Sequence, residues 1–90
     1  MDKKEERRAA AQAREASAGL RKAVKDAEGE IAKAQRALAE VDGALAGIAS
    51  PALKPLSMGE LMKRRGEVEA RLEAAEAVWL QASEALEAAG

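Results

Sequence analysis

Apolar side chains recur along this chain at alternating intervals of four and three residues, and that spacing restricts the fold more than any other feature. In the first half, Leu20, Val24, Ala27, Ile31, Ala34, Leu38, Val41, Leu45 and Ile48 keep the rhythm. In the second half, Leu61, Arg65, Val68, Leu72, Ala75, Trp79, Ala82, Leu86 and Ala89 keep it with one charged member. A 3.5-residue period holds one stripe of a helix against a partner helix and implies left-handed supercoiling. Neither half alternates with a period of two, so strands are excluded. Material for a thicker core is lacking: of the 90 residues 24 are Ala, 19 are larger apolar residues, and Trp79 is the only aromatic. Short chains bury little surface in any case. The expected fold class is all-α, a two-helix antiparallel coiled-coil hairpin with a Pro-containing turn.

The connection reads Gly47-Ile48-Ala49-Ser50-Pro51-Ala52-Leu53-Lys54-Pro55-Leu56. Each proline lacks a backbone donor and pushes its predecessor out of helical geometry. Ser57 followed by Glu60 is a capping box, and Leu56 with Leu61 supplies the matching hydrophobic staple. Helix one is therefore expected to reach about residue 48, with a turn over 49–57 and helix two over 58–89. Residues 17–90 make up the hairpin. Residues 1–16, Ala-rich and charged, find no partner in it and read as a linker, a projecting helix or frayed chain.

Two registers fit the heptads. One sets Leu45 opposite Leu61 and Trp79 opposite Ala27; the other sets Leu45 opposite Val68 and Trp79 opposite Ala34. In both, a large ring meets a small residue at the seam, as dense packing requires. Trp79 accordingly reads as a core residue rather than a stacking platform, while Leu80 beside it points outward. Gly29, Gly43 and Gly66 fall inside helix but off the apolar stripe, where each costs about 1 kcal/mol relative to Ala.

Composition excludes most chemistry. With neither Cys nor His, the chain lacks thiolates, the usual neutral-pH base and the commonest metal ligand. Carboxylates such as Glu67, Glu69, Glu73 and Glu76 are spread around an exposed helical face, where nothing would shift their pKa values for acid–base work. No glycine-rich phosphate loop is present. The fragment is expected to have no catalytic site and to bind no metal. No apolar run approaches the ~18 residues of a membrane span, and no signal h-region follows the charged N-terminus; a cytoplasmic location is the expectation.

Charge is balanced overall, at −1, but unevenly placed. Residues 1–65 hold 14 basic and 10 acidic side chains (+4), and residues 66–90 hold one basic and six acidic (−5). Antiparallel pairing would lay acidic helix two beside Arg21, Lys22, Lys25, Lys33 and Arg36, so flanking ion pairs are expected there. At the closed end, Lys54, Lys63, Arg64 and Arg65 cluster with only Asp42 and Glu60 nearby. Cations in the first turns of a helix oppose the macrodipole, and Arg65 even takes a seam position. Such a run suggests an external anion, with phosphate backbone the usual candidate. The competing reading sends Arg65 past the seam to Asp42 or Glu69 and leaves the rest solvated.

Three segments together resemble a known family. They are Leu20-Arg21-Lys22-Ala23-Val24-Lys25-Asp26-Ala27-Glu28, the Pro51-Ala52-Leu53 turn, and Glu76-Ala77-Val78-Trp79-Leu80-Gln81-Ala82-Ser83-Glu84. They resemble the C-terminal coiled-coil domain of subfamily F ATP-binding cassette proteins, soluble tandem ATPases that lack membrane domains. The likeness covers about residues 7–88, and the W-L-x-x-x-E-x-L ending is its most specific part. It implies an accessory domain acting on ribosomes near the tRNA exit site, or on DNA, with ATP and Mg confined to nucleotide-binding domains that would precede this segment. No cofactor is implied for the fragment itself. The family turn often reads D-P-x-x-Y, whereas Ser50 and Lys54 stand here in place of the acid and the aromatic.

The expected function is thus contact with backbone phosphates of ribosomal RNA or DNA. Lys54, Lys63, Arg64 and Arg65 would act at the tip, with Arg21, Lys22 and Lys25 as a second basic patch. The expected partners are the ribosome or DNA and the ATPase domains of the same parent, with no membrane, in a monomer or weak dimer. The alternative is a protein-interaction or spacer coiled coil that positions the ATPase domains or self-associates.

Overall fold

A computed structural model describes residues 2–48 and 51–89. It contains two helices, α1 (Lys3–Leu45, 43 residues) and α2 (Met58–Ala89, 32 residues), packed side by side in a hairpin measuring 68 × 18 × 14 Å. Residues 3–16 belong to α1 without a break. Asp2 starts the helix, its carboxylate accepting from the backbone N–H groups of Lys4 (2.6 Å) and Glu5 (3.1 Å), which satisfies two orphan donors.

The register is the one that sets Leu45 opposite Leu61. Arg65 reaches Asp42 across the seam, and Trp79 reaches Glu28. Both contacts join residues within one position of the pairs this register aligns, and the other register would move each by about two helical turns. Ala27, Ala34 and Val41 of α1 are buried against Leu61, Val68 and Ala82 of α2. Most of the remaining seam positions are half-buried, including Leu20, Val24, Ile31, Leu38, Leu45, Leu72, Ala75 and Leu86.

Helix one stops about three residues sooner than the heptads suggest. Gly47 adopts φ 89°, a conformation that side chains with a Cβ rarely take. Its N–H donates to the Ala44 carbonyl (3.1 Å), and the Ile48 N–H donates to the Gly43 carbonyl (2.6 Å). This pair of bonds is a Schellman motif, which closes the helix end and turns the chain away from the axis. Ile48, expected at the seam, is consequently 79% exposed. A Cβ on Gly43 would lie 2.9 Å from the Ile48 carbonyl oxygen, so the close approach at this glycine is made by the chain itself. Ala49 and Ser50, the first residues of the expected turn, lie outside the described residues.

These surroundings divide the glycines by substitution. Gly43→Ala and Gly47→Ala are expected to lower stability by about 1–2 kcal/mol each, through the clash and the left-handed backbone. Gly29→Ala and Gly66→Ala meet open space and are expected to raise it by about 1 kcal/mol each. Urea denaturation followed by circular dichroism measures all four; a uniform sign across the set would contradict the assigned helix end.

The return to helix is anchored twice. The Ser57 hydroxyl oxygen accepts from the Glu60 N–H (3.1 Å), and the same hydroxyl faces the Glu60 carboxylate at 3.1 Å. The cap therefore closes through the serine side chain rather than through the reciprocal backbone bond of a full capping box. Beneath it, Leu53 is only 3% exposed and forms a cluster with Val41 and Leu61, flanked by Ala44, Leu45 and Leu56. The Leu56 N–H donates to the Leu53 carbonyl (3.1 Å), closing a turn that contains Pro55.

Candidate nucleic-acid interface at the closed end

The closed end gathers cations on two elements. Lys54 stands on the connection, while Lys63, Arg64 and Arg65 fall in the second turn of α2. Arg65 differs from the others. Its Nε donates to Asp42 (2.7 Å) and its Nη1 to Glu69, so one guanidinium bridges α1 and the next turn of α2. Its seam position explains this. A guanidinium cannot remain between two apolar stripes, so the stem covers the seam and the head emerges toward two carboxylates. Arg65 is thereby an internal clamp, with two of its donors and its charge engaged by carboxylates of the same fold.

Lys54, Lys63 and Arg64 are exposed, and among the described residues none of them makes an ion pair. Arg64 borders two shallow hollows, one of about 280 Å³ with Glu40, Leu53 and Glu67, the other of about 200 Å³ with Leu56, Glu60 and Lys63. Acidic side chains thus stand near it without pairing. Met58 and Met62, one turn apart on α2, are also exposed beside this cluster. The tip is a mixed basic and apolar surface.

The second basic patch lies toward the open end and is less free. Arg21, Lys22 and Lys25 are exposed on α1. Lys22 pairs with Asp26 one turn on (2.6 Å), and this hydrogen bond, with the charge of Asp26, raises the Lys22 pKa above the usual lysine value. The expected pairing of α1 cations with α2 acids does not form. Lys33 turns instead to Glu30 on its own helix (3.4 Å). The pairs that cross between helices run the other way, from Arg65 to Asp42 and from Arg71 to Glu30 (3.9 Å). Among the described residues, Glu73, Glu76, Glu84 and Glu87 make no ion pair. The reason is geometric: the α2 acids lie mainly off the seam edge, out of reach of the α1 lysines.

Trp79 also departs from expectation. It is 36% exposed, and its indole N–H donates to Glu28 at 3.3 Å. Ala27 and Ala34 are buried on the facing helix. An alanine-rich seam draws the helices together and leaves no room for an indole between them, so the ring lies along the shoulder. There, with Ile31, Ala32, Ala77 and Leu80, it lines an open groove of about 570 Å³. Leu80 is exposed as expected.

Among the described residues no three His, Cys, Asp or Glu side chains come together as a metal site, and no helix is long and apolar enough to cross a membrane. Leu53 is the structural residue that periodicity misses, although an isolated leucine between two prolines was a signal for it. Compared with known protein families, curated proteins and solved structures, the chain has no match.

Proposed function

We propose that this hairpin is an accessory nucleic-acid-contacting domain that touches backbone phosphates with its closed end. The observation that carries the reading is the contrast at the tip. Arg65 is neutralised within the fold, whereas Lys54, Lys63 and Arg64 are exposed and make no ion pair among the described residues. A guanidinium and two ammonium groups on one rigid end suit phosphate oxygens. Base reading is disfavoured because the one aromatic ring lies far from the tip, on the shoulder of the seam with its N–H on Glu28.

The sequence likeness to subfamily F ATP-binding cassette ATPases supports the same reading. It would assign ATP and Mg to preceding domains and ribosomal RNA or DNA to this one, with Arg21 and Lys25 as secondary contacts.

A salt titration tests the proposal. Three phosphate contacts predict that log affinity for duplex DNA falls against log salt with a slope of about −2.7. Fluorescence anisotropy with a labelled duplex, and in parallel a ribosomal RNA helix, reads that slope. Binding to neither, or binding with a flat salt dependence, would overturn the reading.

A further inference from the structure

The open end of the hairpin carries three features that its own fold leaves unused. In the observed register Ala89 of α2 lies level with Ser17, so residues 3–16 of α1 extend past α2 as a helix without a neighbour among the described residues. The groove around Trp79 and Leu80 opens on the same half of the molecule. Glu76 lines it, and Glu76 with Glu73, Glu84 and Glu87 on the same helix makes no ion pair among the described residues, while the overhang carries Lys3, Lys4, Arg7, Arg8 and Arg14 against only Glu5, Glu6 and Glu15.

We propose that the occupant of this groove is the 3–16 overhang of a second copy of the chain. With two hairpins set end to end, tips pointing apart, each overhang runs parallel to α2 of its partner. Fourteen helical residues reach about 21 Å, and Trp79 lies about 15 Å in from Ala89, so the overhang passes the groove with a turn or more to spare. That placement sets Arg7 and Arg8 level with Trp79 and Leu80, Lys4 near Glu76 and Arg14 near Glu87. On the overhang helix Lys4, Arg7 and Arg14 share one face, so the cations that meet α2 of the partner stand together. Because each copy offers both an overhang and a groove, the contact occurs twice about a two-fold axis and closes on itself. Charge complementarity fixes the orientation. The contact lies at the opposite end from the basic tip and stands or falls apart from nucleic-acid binding.

The test is a charge swap on the full chain, read by sedimentation equilibrium and by the fluorescence of its one tryptophan. The unaltered chain is expected to double in mass between micromolar and millimolar concentration, with Trp79 emission shifting to the blue as the groove is covered. An overhang variant (Arg7→Glu, Arg8→Glu, Arg14→Glu) and an α2 variant (Glu76→Lys, Glu84→Lys, Glu87→Lys) should each weaken self-association at least about tenfold. Mixed in equal amounts, the two variants should recover it, because each then presents the charge the other lacks. Recovery in the mixture also rules out simple misfolding of either variant. A chain that stays monomeric throughout, a dimer indifferent to both variants, or a mixture that fails to recover would overturn the proposal.

Discussion

Leu53→Ala is expected to lower the stability of the hairpin by about 3 kcal/mol, the loss typical of a buried leucine truncated to alanine. The side chain is 3% exposed and shares a cluster with Val41 and Leu61 at the point where the chain reverses. Three consequences follow from removing it: the connection loses a buried anchor, the two helix ends lose a common contact, and a cavity opens beside Val41 and Leu61. In a fold with so thin a core, a loss of that size is a large share of the whole. Leu80→Ala is the control; at 52% exposure it should change stability by no more than about 0.5 kcal/mol. Urea denaturation at low protein concentration compares the two. Equal effects would mean that Leu53 does not hold the turn.

The second large effect concerns binding. Neutralising Lys54, Lys63 and Arg64 together by Gln is expected to weaken binding to duplex DNA at least about tenfold at low salt and to make the salt slope shallower by about 2.7. Arg65→Gln should leave that slope unchanged, because its guanidinium already faces Asp42 and Glu69. Its cost falls on stability instead. The three side chains are one-third to one-half exposed, so solvent screening keeps the loss below about 1 kcal/mol. The two variants thus separate a binding role from a clamping role among the four cations of the closed end. A slope that responds to Arg65→Gln as strongly as to the triple change would contradict this division.

The elements are legible in the sequence where local rules suffice. The start of α2 at Met58 follows from Ser57 and Glu60, since the cap is made by residues three apart and requires nothing distant. Leu56 and Leu61 behave as a staple for the same reason. The end of α1 was less legible: heptad spacing runs through Ile48, while Gly47 and Gly43 turn the chain three residues earlier. Periodicity describes which face a residue would take if the helix continued, not whether it continues.

The candidate site was legible as a cluster of cations but not as a set of roles. Lys63, Arg64 and Arg65 are consecutive; the heptads set Arg65 apart at the seam, and its bonds to both Asp42 and Glu69 decide between an external anion and an internal clamp. Lys22 is similarly drawn to Asp26. Trp79 was assigned to the seam by its heptad position, yet the closeness of two alanine-rich faces moved its ring to the shoulder and opened the groove.

By itself, the sequence determined that two helices pair through one stripe, that they reverse at Pro51 and Pro55, and that cations collect at the reversal. Those properties depend on side-chain period, backbone donors and composition, all of which are local. The tertiary structure decided the register, the buried place of Leu53, the partners of Arg65 and the exposure of Trp79. Each depends on how near the helices approach and which residues then stand level, and that distance is set by the whole seam packing at once.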